Sequence, residues 1–100
     1  MPTVSTHVLD AAAGGPRPGV TVILETVAGA SVAVEVTDAN GRVGALAGDV
    51  AAGRYRLRWD LSERAGFLIE VAVVVDLDED RHYHVPLLAA PASAVSYLGA

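Results

Sequence analysis

Four side chains of this chain are suited to proton transfer and to the binding of a small anion. They are His7 near the N-terminus, Arg42 after a tight turn, and the pair His82 and His84 near the C-terminus. An imidazole has an ordinary pKa of about 6.5, so it can take a proton from water or return one near neutral pH. A guanidinium stays charged and can hold an anion or polarise a carbonyl group. The chain has no cysteine, which excludes a thiol nucleophile, a thiolate metal site and a disulfide.

The same residues allow other interpretations. His82 and His84 are two positions apart, so on a strand they would face the same way and could bind a metal ion, with His7 completing a three-histidine zinc site. All three histidines could equally be solvated on the surface of a sheet. Arg42 could be a solvated charge beside its turn. Asp10 is expected to cap a turn through its side chain rather than to take part in catalysis.

Alternating apolar and polar residues predict a chain built mainly of strands. The clearest case is 54–59, RYRLRW, where three apolar residues point one way and three arginines form a solvated face on the other. The same period predicts strands at 20–26 and at 31–37, where three valines share one face and alternate with Ala33 and Glu35. The segment 67–75 is more continuously apolar, which predicts a strand buried on both faces.

Alternation also predicts which way the histidines point. In the first strand, every second residue from Val4 onward is assigned to the core, and His7 falls on the opposite face. In the late strand, His82 and His84 lie opposite an apolar face that begins at Tyr83. The imidazoles of His7 and His84 are therefore predicted to point away from the core.

Turn signals separate these strands at spacings of about 8–12 residues, which are typical of an antiparallel sandwich or barrel. The loop 14–19 is rich in glycine and proline, and 38–41 forms a tight turn in which Gly41 supplies the positive φ. Residues 76–80 form an acidic loop, and only 61–66 could form a helical turn. The length of 100 residues predicts a single domain, 1–100.

The charge balance restricts the partners of the chain. The net charge is −5 and all seven basic residues are arginine, so no basic face for nucleic acid or for an anionic membrane is expected. The start, MPTV, lacks the pattern of a signal peptide, and no apolar run approaches the roughly 20 residues of a transmembrane helix. A cytoplasmic protein is the expectation.

Motifs along the whole chain resemble those of the transthyretin-like family, whose enzymatic branch is 5-hydroxyisourate hydrolase. The most specific match is HYHVPLL at 82–88, and STHVLD at 5–10 is similar to the N-terminal signature of the hydrolases. TDANGR at 37–42 looks like the turn that carries the active-site arginine of the family, and GRYRL at 53–57 fits its next strand. The tyrosine and glycine of YLG, 97–99, match part of the C-terminal signature.

The resemblance implies an all-β, eight-stranded antiparallel sandwich with at most one very short helix. It implies a homotetramer, a dimer of dimers, with the active site at the mouth of a central channel. The implied reaction is the ring opening of a small cyclic amide in urate degradation, without metal or cofactor. The implied catalytic residues are His7, Arg42 and His84. The implied substrate-binding positions are Tyr97, His82 and Leu98.

The chain departs from the pattern of the family in its tail. The family ends in Tyr-Arg-Gly-Ser, whereas Leu98 and Ala100 replace the arginine and the serine here, and PASA at 91–94 replaces the usual aromatic residues. The connection 60–66 is also shorter than in the family, which normally has a helix there. Two other functions are therefore open: a paralogue acting on another cyclic amide or heterocycle in secondary metabolism, and a non-catalytic binder of a small ligand, as in the transthyretin branch.

Overall fold

Ten strand segments form two facing sheets in the computed structural model, which describes residues 1–99. They are β1 (Thr3–Asp10), β2 (Gly15–Pro16), β3 (Thr21–Thr26), β4 (Ser31–Val36), β5 (Arg42–Ala47), β6 (Gly53–Asp60), β7 (Glu70–Leu77), β8 (His82–His84), β9 (Leu87–Ala89) and β10 (Ala94–Ser96). The first sheet contains β1, β2, β5, β8, β9 and β10, and the second has the order β4-β3-β6-β7. The predicted all-β sandwich is confirmed.

The strand β1 is the centre of the first sheet. On one side it pairs antiparallel with β5 and, near its C-terminal end, with β2. On the other side it pairs in parallel with β8 and β9, and β10 follows antiparallel to β9. The sandwich is thus not antiparallel throughout. No hairpin joins β1 to β8, since most of the chain lies between them, so no turn dictates their relative direction.

The eight predicted strands correspond to ten segments for two local reasons. β2 has only two residues, and the late strand is interrupted between β8 and β9, where Pro86 has no amide hydrogen to donate to a neighbouring strand. Residues 1–99 contain no helix, since 61–66 forms only turns and bends, and thus none that is long and apolar enough to cross a membrane.

The prediction for β6 is confirmed, with its apolar residues buried and its arginines on the outer face of the second sheet. Two of these arginines are paired rather than solvated. Arg58 and Arg56 contact the carboxylate of Glu25 on β3 at 2.7 and 2.9 Å and hold its pKa below the ordinary value. This arrangement links β3 to β6 and neutralises much of the positive charge of this arginine face.

The valines of β4 lie on its outer face, away from the core. Val32, Val34 and Val36 are 40%, 54% and 55% exposed. In their place Ala33 is the residue of this strand that packs against the core. β4 is an edge strand, so a small residue suffices on its inner face, and the outer face of a two-sheet sandwich has no further layer to cover it.

The segment 67–75 is also less buried than predicted. The strand begins at Glu70, and its alternate residues Val71, Val73 and Val75 pack against the core, which Leu77 at its end joins. Phe67 precedes the strand and is 82% exposed. A two-layer fold covers one face of each sheet, so a strand buried on both faces has no place in it.

Inside the core, one hydroxyl joins the two sheets. Thr6 of β1 accepts a hydrogen bond from the indole Nε1 of Trp59 at 3.2 Å and donates one to the carbonyl of Val85 at 2.6 Å. Val4 and Val8 are buried on the same face of β1. The predicted orientation of β1 is confirmed, and His7 consequently points to the outer face of the first sheet.

Candidate functional site

The three residues predicted to be catalytic lie on the outer face of the first sheet. The alpha carbon of His7 on β1 pairs with that of Arg42 on β5. Ser5, two positions earlier on the same face, pairs with His84 on β8. Since adjacent strands are about 4.8 Å apart, Arg42 and His84 flank β1 with alpha carbons roughly 10–12 Å from each other. The fold therefore brings His7, Arg42 and His84 to one surface.

A tight turn places Arg42 beside His7. Asp38 Oδ1 accepts hydrogen bonds from the amides of Arg42 and Asn40 at 3.0 and 2.8 Å, and these bonds hold the pKa of the Asp38 carboxyl below its ordinary value. Gly41 has the predicted positive φ, 74°. A Cβ at this position would collide with the backbone carbonyl of Val8. Glycine thus lets the turn lie directly on β1.

The carbonyl of Asn40 fixes the tautomer of His7. His7 Nε2 lies 2.9 Å from this oxygen. A carbonyl oxygen only accepts hydrogen bonds, so Nε2 must carry the hydrogen. The neutral ring then has its lone pair on Nδ1, which is free to accept a proton from water.

The imidazole of His84 is held between β1 and the C-terminal tail. Its Nδ1 lies 2.8 Å from Ser5 Oγ. Its backbone carbonyl accepts a hydrogen bond from the amide of Gly99 at 2.7 Å, and a Cβ on Gly99 would lie only 2.8 Å from the ring carbon Cδ2. Burial lowers the pKa of His84, and the positive charge of Arg42 lowers it further. His84 is therefore suited to act as a neutral base.

His82 differs from the other two histidines because both of its ring nitrogens have hydrogen-bond partners. Nδ1 lies 2.6 Å from Thr3 Oγ1, and Nε2 lies 2.7 Å from Ser5 Oγ. The ring is thus engaged with β1 rather than directed at a ligand. Within residues 1–99, no three His, Cys, Asp or Glu side chains are grouped so that they could hold a metal ion.

Ser5 is the polar residue of this surface that carried no sequence signal of its own. It is only 6% exposed, although it lies on the outer face, and its hydroxyl stands between the imidazoles of His82 and His84. Alternation places Ser5 on the same face as His7. Its contact with β8 depends on the parallel pairing of two distant strands, which alternation does not reveal.

The tail brings Tyr97 and Leu98 to the edge of the molecule, where they are 52% and 56% exposed. Both line an apolar groove of about 280 Å³ between the tail and the residues of β7 and β8. None of the three histidines lines this groove, so the groove and the histidine surface are separate features that share the tail. Ala100 lies outside the described residues. Asp10 caps a turn as predicted, since its carboxylate accepts hydrogen bonds from the amides of Ala12 and Ala13.

Known proteins resemble this chain over almost all of its length. Residues 4–99 match the sequence model of the HIUase/Transthyretin family. A uric acid degradation bifunctional protein of Arabidopsis thaliana is 36% identical, and the match covers 98% of this chain but only 37% of the plant protein. A 5-hydroxyisourate hydrolase of Caulobacter vibrioides is 35% identical over 99% of both chains. The solved 5-hydroxyisourate hydrolase of Klebsiella pneumoniae has a TM-score of 0.89 at 32% identity, covering 98% of this chain and 99% of that one.

Proposed function

Because this chain belongs to the HIUase/Transthyretin family, we propose that it hydrolyses 5-hydroxyisourate, opening a cyclic amide in urate degradation. The observation that carries the proposal is the meeting of His7, Arg42 and His84 on the outer face of the first sheet. Relatives named 5-hydroxyisourate hydrolases are similar over nearly the whole chain, which supports the same reaction.

The two imidazoles act together on the attacking water. The proton acceptors are His7 Nδ1, which has the lone pair in the fixed tautomer, and His84 Nε2 in the tautomer whose Nδ1–H donates to Ser5. One imidazole takes a proton from water while the water oxygen bonds to the amide carbonyl carbon. The carbon–nitrogen bond of the ring then breaks, and the proton is returned to the leaving nitrogen.

Arg42 binds the anionic substrate and stabilises the negative charge that develops on the carbonyl oxygen. Its guanidinium has no ion-pair partner among residues 1–99, so its charge is available to a ligand. The hydroxyl of Tyr97 is proposed to contact the substrate ring from the tail. These side chains suffice for the proposed reaction, which uses no metal or cofactor.

The decay of freshly generated 5-hydroxyisourate, followed by ultraviolet absorbance, tests the proposal. The protein should accelerate the decay, and His7→Ala and His84→Ala should each reduce the acceleration by about 10²–10⁴-fold. Arg42→Ala should also be impaired, whereas Arg54→Ala, on the outer face of the other sheet, serves as the matched control. A folded protein that leaves the spontaneous rate unchanged, or a fully active His84→Ala, would contradict the proposal.

Leu98 favours a second candidate, a paralogue with the same site and another cyclic amide or heterocycle as substrate. A hydrocarbon that is 56% exposed stands in the tail where the family has an arginine. Leu98→Arg should raise the turnover of 5-hydroxyisourate if this replacement is what redirected the site. An unchanged low rate in this variant would show that the tail does not select the substrate. The non-catalytic alternative gives no reason for a half-buried His7 with a fixed tautomer.

We also propose that the chain assembles into a homotetramer, a dimer of dimers, and acts in the cytoplasm as part of purine metabolism. The support for assembly is the apolar character of the tail edge, where Val95, Tyr97 and Leu98 are all more than half exposed. A second copy that covers this edge would bury these side chains and enclose the site from one side.

A further inference from the structure

An unbroken series of hydrogen bonds runs behind the proposed catalytic base. Thr3 Oγ1 lies 2.6 Å from His82 Nδ1, His82 Nε2 lies 2.7 Å from Ser5 Oγ, and Ser5 Oγ lies 2.8 Å from His84 Nδ1. The parallel register explains the series. Thr3 pairs with His82 and Ser5 with His84, so residues two positions apart on each strand alternate along one face.

The hydrogens of this series cannot be arranged independently. The hydroxyl of Ser5 has one hydrogen, so it can donate to His82 or to His84 but not to both. When Ser5 donates to His84, the neutral His84 ring carries its own hydrogen on Nε2. When Ser5 donates to His82, it accepts the hydrogen of His84 Nδ1, and the lone pair of His84 lies on Nε2. The state of His82 therefore decides whether His84 presents an acid or a base.

We propose that Ser5 and His82 form a proton relay that serves His84, an inference that rests on the proposed hydrolase function. His84 Nε2 takes a proton from the attacking water, the hydrogen on His84 Nδ1 passes to Ser5 Oγ, and the hydrogen of Ser5 passes to His82 Nε2. The positive charge then resides on His82, whose Nδ1–H is held by Thr3. The reverse movement returns the proton to the leaving nitrogen. Ser5 and His82 act on the substrate only through His84, so they are positioning residues rather than catalytic ones.

The surroundings of the two histidines favour this transfer of charge. His84 is partly buried and lies near Arg42 and His7, and both burial and these charges disfavour its protonated form. His82 is exposed and sits at the far end of the series from Arg42. Arg81 donates from its Nε to the carbonyl of His82, and the preceding Asp80 pairs with the N-terminal amino group.

The relay is tested with Ser5→Ala, His82→Gln and the double variant. If His82 acts only through Ser5, each single change should lower kcat by about tenfold or more, a part of the 10²–10⁴-fold that proton transfer contributes, and the double variant should be no slower than Ser5→Ala. Ser5→Thr, which keeps the hydroxyl, should restore most of the rate. Ser31→Ala, an exposed serine of β4, is the matched control. Independent, multiplicative losses in the double variant would overturn the relay.

A measurement without substrate separates this inference from the proposed function. Nuclear magnetic resonance of ¹⁵N-labelled histidine rings reports which nitrogen of His84 carries the hydrogen. His82→Gln should change the tautomer populations of His84 in the presence of Ser5 and leave them unchanged in the Ser5→Ala background. If His82→Gln leaves the tautomer populations of His84 unchanged both with Ser5 and in the Ser5→Ala background, the relay is overturned even in an active enzyme. Coupled populations in a protein without hydrolase activity would instead preserve the relay and refute the proposed substrate.

Discussion

Gly99 shows how a residue without a side chain can determine the position of a proposed catalytic one. Its amide donates to the carbonyl of His84 at 2.7 Å, and a Cβ would lie 2.8 Å from the Cδ2 of that imidazole. Contacts this short are essentially absent between real side chains and neighbouring atoms, so a larger residue must displace either the ring or the tail. Glycine therefore keeps His84 in place and also places Tyr97 and Leu98 beside it.

The substitution Gly99→Ala should lower activity without unfolding the protein. The added methyl group displaces the His84 ring from its hydrogen bond with Ser5, and a misplacement of this kind can cost on the order of 10²-fold in rate. Position 99 is in the tail, so the free energy of unfolding should change by less than about 1 kcal/mol. Gly48→Ala, at a glycine with no neighbouring atom within 4 Å of an added Cβ, is the control. Equal kcat values for the two variants would contradict this account of the tail.

The pH dependence of activity should report the environment of His84. Burial lowers the pKa of His84 and Arg42 lowers it further, so the neutral, basic form persists at pH values where a free imidazole is already protonated. The acid limb of kcat/KM should therefore lie below the ordinary imidazole pKa of about 6.5. Because the lowered pKa makes the folded state bind a proton at His84 less readily than the unfolded state, the free energy of unfolding should decrease as pH falls through the unfolded-state pKa of this ring.

Arg42→Met tests the electrostatic part of this shift. Removal of the positive charge should raise the pKa of His84 but not restore it fully, since burial is the larger cause. The direct readout is a titration of the His84 ring by nuclear magnetic resonance, with Arg54→Met as a control for the loss of an arginine elsewhere. A His84 titration that is identical in both variants would show that Arg42 does not face the imidazole.

At the scale of the strands, the interruption between β8 and β9 depends on one buried hydroxyl. Thr6 donates to the carbonyl of Val85 at 2.6 Å and accepts from Trp59 Nε1 at 3.2 Å. Pro86 follows immediately and cannot take part in the ladder as a donor. The hydroxyl thus satisfies a carbonyl at the break and joins both sheets. The proposed base His84 lies directly before this break, so its position depends on this hydroxyl.

Thr6→Val keeps the shape of the side chain but removes both hydrogen bonds. Each of the two buried groups left without a partner costs about 1–3 kcal/mol, so the variant should lose roughly 2–6 kcal/mol of the free energy of unfolding. Urea denaturation followed by circular dichroism and by the fluorescence of Trp59, the single tryptophan, measures this loss. Thr21→Val, on the outer face of β3, should change stability by less than about 0.5 kcal/mol. Similar values for both variants would contradict the role given to Thr6.

The strands themselves were largely predictable from alternation, whereas their environments were not. β6 and β1 have one apolar and one polar face, so the pattern determines both the strand and its orientation. The valines of β4 follow the same pattern but are exposed, because their strand lies at an edge where Ala33 meets the core. Periodicity identifies two faces of a strand and does not state which face the second sheet covers.

The sequence predicted those residues of the candidate site that family motifs identify, but not the contacts that support them. His7, Arg42 and His84 came from the resemblance together with the period-2 faces. Ser5 and the carbonyl of Asn40 did not, because each acts through a contact across strands that depends on register. A serine in a strand and a backbone carbonyl in a turn have no sequence pattern that distinguishes a structural role from support of a neighbouring imidazole.

At the scale of the whole molecule, two of the edges that expose apolar side chains can be compared directly. One edge is β4 of the second sheet, with Val34 at 54% exposure, and the other is β10 and the tail, with Val95 at 57%. Only the second edge adjoins the candidate site, since Gly99 of the tail pairs with His84. Exposed apolar patches of this kind mark surfaces that bind another molecule. The proposed assembly would therefore use the tail edge and would couple oligomeric state to activity.

Val95→Asp and Val34→Asp distinguish the two edges, since both valines are similarly exposed and neither substitution leaves a cavity. A charge within a covered apolar edge must be desolvated, which disfavours association. Val95→Asp should therefore shift the protein from tetramer to smaller species in sedimentation velocity and lower its activity per subunit, while Val34→Asp should leave both properties unchanged. A wild-type protein that sediments as a fully active monomer would refute the assembly. The reverse ranking of the two variants would place the interface on β4 and would separate assembly from the histidine surface.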